Sequence, residues 1–243
     1  AQTRVHDVTT SEASMTLRYA PGESFVNSKQ RRVPVSLDAP VFTLTHAMGF
    51  KGVLGGEYNF NRTEASIWKR FWLPASWGKI DCSVKAGAEW NTVPFPLLIL
   101  PEANLSYITQ RETFCLINNM EFLNDRFASM SISYDMNGKL FNRIPLLKNL
   151  KWREMFRVRA LWGTLTDKNN PFKSSNPDLF RFPTRDGKFT SFVMDPKVPY
   201  VEASVGIYNI FKLLHVEYVH RFTYRDNPGI NKNGIRFMVL MVF

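Results

Sequence analysis

The residues that come nearest to a metal site are His215, Glu217 and His220 in the run HVEYVH. Only a helix would gather all three on one ion; on a strand His215 and Glu217 share one face and His220 points the other way. The surrounding residues read as a strand. Leu214, Val216, Tyr218, His220, Phe222 and Tyr224 alternate with His215, Glu217, Val219, Arg221 and Thr223. No metal centre is therefore expected there. A second row, Lys151, Arg153, Arg157 and Arg159, puts basic side chains on one face of one strand. Such a row either pairs with carboxylates, Glu89 or Glu217 for example, or lines an anion path. Enclosed charges need partners, so pairing inside a barrel is the expectation. Cys82 and Cys115 are too few for a disulfide scaffold and show no C-x-x-C spacing; they read as buried thiols, with a bridge left open in an oxidising compartment. No G-x-S-x-G, P-loop or G-x-G-x-x-G occurs, and no carboxylate pair has supporting context. The glycines of GVLGG, 52–56, read as a loop tip. No catalytic residue, cofactor or metal is expected, and the chain does not read as an enzyme.

The 243 residues carry a formal net charge of +10, which raises the question of nucleic acid. The basic residues are spread along the chain instead of forming a run, so nucleic acid is not an expected partner. Aromatics reach 14%, a content that suits a β-sandwich core or the aromatic girdles of a membrane barrel. No stretch of 18 apolar residues exists for a transmembrane helix, and a barrel needs none because its faces alternate. The opening residues, 1–10, are polar and show no signal peptide; export would place that signal upstream.

Holding these residues in place falls to strands, because the dominant period is two. From Lys79 to Trp90, Ile80, Cys82, Val84, Ala86, Ala88 and Trp90 form one oily face, opposed by Lys79, Asp81, Ser83, Lys85, Gly87 and Glu89. About nine strands follow from the pattern, over 13–26, 40–48, 61–73, 79–90, 112–136, 151–162, 200–208, 214–224 and 235–243. Most reach the roughly 9–11 residues that cross a bilayer. Connections alternate between tight (74–78 and 209–212) and long (92–111 and 163–199), as in barrels with short periplasmic turns and long external loops. The final strand carries Ile235, Phe237, Val239, Met241 and Phe243 at alternate positions and reads as a signal for the barrel-assembly machinery. The expectation is an all-β, transmembrane antiparallel β-barrel portion over 1–243, in contact with outer-membrane lipid.

The blocks Pro94-Phe95-Pro96-Leu97-Leu98, 101–107, 118–122 and 125–128, together with FNRIPLL at 141–147, LKWRE at 150–154 and PYVEASVGIYNI at 199–210, resemble a Bacteroidota family of unknown function. Its members carry a carboxypeptidase-regulatory-like domain ahead of a barrel similar to the surface-antigen superfamily that includes BamA and TamA. The resemblance implies a sixteen-stranded outer-membrane barrel of which this chain supplies the last nine strands. It also implies a role in outer-membrane biogenesis or in protein or solute transport, with client proteins admitted at a weak seam beside the last strand. A passive pore, a membrane anchor for an upstream periplasmic domain, and a soluble carbohydrate-binding module are the alternatives. The superfamily's inward-folding loop matches 92–111 by position, but Asn104-Leu105-Ser106-Tyr107 lacks its Arg-Gly-aromatic motif.

Overall fold

The computed structural model describes residues 7–27, 29, 31–104, 106–108, 112–173, 179–180, 182, 184–185 and 187–239. Nine strands form one sheet: β1 (Glu12–Tyr19), β2 (Val41–Gly49), β3 (Phe60–Trp72), β4 (Lys79–Glu89), β5 (Arg126–Asp135), β6 (Arg153–Thr164), β7 (Tyr200–Ile210), β8 (Leu214–Arg221) and β9 (Asn233–Val239). Each pairs antiparallel with its neighbours in chain order. Among the described residues β1 and β9 do not pair with one another, so no closed barrel forms.

Register fixes the faces, because residues directly opposite one another share a side. On one face Leu17, Leu44, Ala65, Ala86, Ala128, Trp162 and Val201 meet their neighbours or lie in step with them. On the other lie Glu64, Lys85, Ser131, Arg159, Glu202 and Arg221. Val41 and Thr43 of β2 line the same cleft as Met238 of β9, so the sheet curls and makes the polar face its inner one. The burial is inverted relative to a soluble sheet. On the apolar outer face Val84 is 45% exposed, Val158 43% and Val205 48%, whereas inside Glu202 and Arg221 are 0% exposed.

At one end of the sheet two connections, 73–78 and 211–213, are tight. Gly78 closes the turn after β3 at φ +89°, where a side chain would strike the Asp135 carbonyl. The turn between β5 and β6 holds one helix, α1 (Pro145–Leu150), and three residues link β7 to β8. A small hairpin, Phe25–Asn27 with Arg32–Pro34, lies between β1 and β2, so the strand expected over 13–26 stops at Tyr19. Ala20-Pro21-Gly22 supplies the reason: Pro21 lacks a ladder donor, and Gly22 turns the chain at φ +76°.

The strand expected over 112–136 is corrected more strongly. Only Arg126–Asp135 is strand, and 112–125 belongs to a long insert between β4 and β5. Phe114, Cys115, Leu116 and Ile117 are all buried, a run without alternation, and Met120 turns the chain at φ +58°. Lys151 likewise lies outside the strand: it caps α1 in the left-handed conformation, and β6 begins at Arg153. Of the assembly-signal residues, Ile235, Phe237 and Val239 share the outer face of β9; Met241 and Phe243 lie outside the described residues.

Candidate functional site

The insert, 90–125, folds back over the inner face at the long-connection end of the sheet, from Phe60 and Lys85 of β3 and β4 to Val219 and Arg236 of β8 and β9. Its two ends are tied to one junction. Asp125 accepts hydrogen bonds from the Thr166 amide at 3.1 Å and from Asn169 Nδ2 at 3.0 Å, while Asn169 Oδ1 accepts from the Val93 amide at 2.8 Å. Gly163 makes the approach feasible, because a Cβ there would sit 2.3 Å from Asn124 Oδ1. The insert carries the apolar core that the outer face of the sheet does not have. Phe114, Ile117 and Phe122 pack with Leu161, Met194 and Tyr200, and Cys115 and Leu116 pack with Val219. The next long connection backs it, through a parallel bridge between Phe122 and Phe192.

Beneath the insert lies a buried ionic network. Glu202 pairs with Arg159 Nη1 at 3.0 Å and accepts from the Cys115 amide at 2.8 Å, the Leu116 amide at 3.1 Å and Tyr200 Oη at 2.8 Å. Glu217 pairs with Arg157 at 3.1 Å and lies 3.4 Å from His215 Nε2. Arg221 spends all five of its N–H donors. Two go to Glu121 at 3.0 and 2.6 Å; the others go to the carbonyls of Leu116 at 3.2 Å, Thr223 at 3.0 Å and Tyr224 at 2.8 Å. Its guanidinium also lies 4.8 Å from the centre of the Tyr200 ring. Arg159 is bonded through Nη1 alone, and its Nε and Nη2 have no partner among the described residues. They belong to a side chain that borders a small void also lined by Ser129, Ser131 and Glu112. The Cys115 thiol contacts Arg159 at 3.3 Å, yet burial outweighs that cation and pushes its pKa up to about 11. It is therefore a neutral packing group and not an activated nucleophile.

The rest of the inner face is open. A cleft of about 800 Å³ is lined by Glu64, Arg70, Lys79, Asp81, Asp135, Arg153 and Tyr208, among others. Its charges are paired side by side across neighbouring strands: Arg70 to Asp81 at 2.6 Å, Lys79 to Asp135 at 3.7 Å, and Lys85 to Glu64 at 3.1 Å.

Of the basic row, Arg153 lines the open cleft, Arg157 meets Glu217 as expected, and Arg159 meets Glu202. Glu89 instead lies 3.7 Å from Arg62. His215 and Glu217 share the inner face, while His220 sits outside and bonds Asn233. Cys82 and Cys115 are both free. Sequence reasoning missed Glu202, Arg221 and Glu121 as anchors. Glu202 is the one charge on the polar side of its strand, and Arg221 shares the polar side of the next with Glu217; Glu121 sits in a segment that reads as strand.

The tip of the insert reaches the far edge of the sheet. The Phe237 amide of β9 donates to the Tyr107 carbonyl at 2.8 Å, with Ile108 and Phe237 in a parallel bridge. Asn104 and Ser106 stiffen this tip by bonding back to the backbone of Ser106 and Ile108.

No curated protein matches the chain. A family model does match, over residues 2–172, which takes in β1 to β6 and the whole insert. The chain belongs to the C-terminal domain of a family of unknown function (DUF5686).

Proposed function

We propose that this chain is the membrane-embedded C-terminal portion of a bacterial outer-membrane β-barrel of the surface-antigen type, akin to BamA and TamA, and that it is not an enzyme. Its role is outer-membrane biogenesis or transport of protein or solute. The observation that carries the reading is the inversion of the two faces: apolar side chains outside and exposed, ion pairs inside and buried. An apolar face of that extent is a surface for hydrocarbon or for a large partner. Ile80 and Trp90 are ten residues apart, as are Trp152 and Trp162. At roughly 3.3 Å per residue and about 40° of tilt, that spacing projects to about 25 Å, the height of a lipid-facing band. The insert supports the surface-antigen assignment, because it folds inward between corresponding strands although it lacks the Arg-Gly motif. Here Glu121 and the amides of Cys115 and Leu116 do the anchoring, against Arg221 and Glu202. The edge of β9, which the insert tip holds at the Phe237 amide, is the side of the seam at which a client strand would enter by strand addition, displacing that tip. Partners on this reading are outer-membrane lipid, the barrel-assembly machinery and client proteins.

Fractionation of cells making the full-length protein tests this. Recovery in the membrane pellet, released only by detergent, is the expected result; a soluble product ends the proposal. Within it, Val84→Arg on the outer face should block assembly at a cost of about 2–4 kcal/mol, while Lys85→Ala on the inner face is tolerated. A second reading, a passive pore or an anchor for an upstream domain, draws on the open cleft. Stable single-channel conductance, with no effect of depletion on other barrels, favours that reading instead.

A further inference from the structure

The short-turn end of the sheet carries a surface that the inner-face site does not explain. The connections 73–78, 136–152 and 211–213 meet there, at the same end as 20–40. The first three contain Lys139, Arg143, Lys148, Lys151 and Lys212 and no Asp or Glu; 20–40 carries Asp38 and Glu23, the latter paired with Arg18. The carboxylates nearest in the chain flank the second turn and are already bonded: Asp135 to the Asn137 amide at 2.8 Å, to Tyr208 and to Lys79, and Glu154 to the Phe141 amide. The same turns expose large apolar side chains, Leu146 at 82% and Phe211 at 86%, with Leu140, Ile144 and Leu150 also exposed. Between the first two turns is a cavity of about 350 Å³ lined by Ser76, Asn137, Lys139, Asn142 and Arg143. Its lining offers two cations and three neutral hydrogen-bonding side chains, and no acid. Lys139 is held there by the Ala75 carbonyl at 2.8 Å and lies 5.1 Å from the centre of the Trp77 ring. Arg143 makes no side-chain hydrogen bond or ion pair among the described residues.

We propose that this pocket takes the phosphate of an anionic phospholipid headgroup, with the acyl chains lying against the apolar residues of the 136–152 turn. The inference rests on the membrane reading above and adds a ligand to it. A phosphate brings several acceptor oxygens and a negative charge, which match the donors and cations of the lining. Exposed leucines beside cations are the composition of a segment lying in the interface, where each cation near an anionic surface adds to binding. The collar is continuous with the apolar outer face: Phe156 of β6 lies four residues beyond Trp152. A water-filled surrounding would leave Leu146 and Phe211 without a covering.

The test uses the full-length protein in nanodiscs of phosphatidylcholine containing a minor fraction of phosphatidylglycerol, with retained lipid counted by native mass spectrometry. Lys139→Gln/Arg143→Gln should lower phosphatidylglycerol retention by roughly tenfold. Lys148→Gln/Lys151→Gln, which removes equal charge outside the pocket, should lower it far less. Equal retention by the wild type and the first variant overturns the inference, as does full displacement of the lipid by millimolar inorganic phosphate, which marks a free-anion site. Heat-shifted gel migration shows whether each protein has inserted and folded. A wild type that does not insert defeats the barrel reading itself; an inserted wild type without lipid preference defeats only this inference.

Discussion

The inner face of one sheet is used in two ways. Toward the end with the long connections it is sealed by the insert, and Arg221, Glu202 and Glu217 are withdrawn from solvent almost completely. Toward the end of the tight turns it is open from β2 round to β9, and Arg70, Asp81, Lys79 and Arg153 line the cleft. Strand alternation is the same in both halves, and so is the chemistry of the side chains. What differs is the cover. Under a cover, a charge must be satisfied by fixed partners, and Arg221 reaches that state with five bonds. In the open half, solvent does part of that work even where the pair is bidentate, as Arg70 is with Asp81. Two of the arginines beneath the insert differ as well: Arg221 has no donor left, whereas the N–H groups on Nε and Nη2 of Arg159 have no partner among the described residues. The sealed half is thus built as a fixed clasp on the insert, and the open half as a lining.

Removing one member of the clasp should produce the largest effect. Arg221→Met leaves Glu121 buried without its countercharge and should cost about 3–5 kcal/mol. Urea unfolding in detergent measures it, and limited proteolysis should then cut within 90–125, a region protected in the wild type. Glu202→Gln is milder, about 1–3 kcal/mol: the one remaining oxygen keeps either the Cys115 or the Leu116 amide, and the new NH2 faces the other as donor against donor. Cys115 gives a pH signature for the same region. Its pKa is raised by burial from the usual thiol value to about 11. The stability it adds is therefore present below the ordinary thiol pKa and is lost as pH rises through about 11. A thiol reagent at pH 8 should leave it unmodified until denaturant opens the insert. Asp81→Asn, in the open half, should shift stability by less than about 1 kcal/mol, since solvent screens its pair with Arg70. If Asp81→Asn cost as much as Arg221→Met, the division between the halves would not hold.

The sheet was legible in the sequence because alternation at period two survives along most of β2, β3, β4, β6, β7 and β8, and because the short turns carry Gly, Pro and Asn. The sealed site was not. Its cover, 90–125, is buried on several sides, so Phe114-Cys115-Leu116-Ile117 shows the continuous apolarity that also marks a buried strand. The contacts that matter there join Cys115 to Glu202 and Glu121 to Arg221, 87 and 100 residues apart, and no local pattern encodes them. Glu217 could be named as a partner for the basic row because both lie on the polar sides of their strands, but alternation alone does not choose between it and Glu89.

The central claim is that the outer face of the sheet meets hydrocarbon while the inner face meets water or the insert. Nitroxide labels placed one at a time from 79 to 89 along β4 of the full-length protein, reconstituted in bilayers, test it through collision with oxygen and with a water-soluble nickel chelate. The account predicts a period-two pattern, with Ile80, Val84, Ala86 and Ala88 favouring oxygen and Asp81, Ser83 and Lys85 favouring nickel. Nickel access at Val84 and Ala86 equal to that at Ser83 and Lys85 would contradict it.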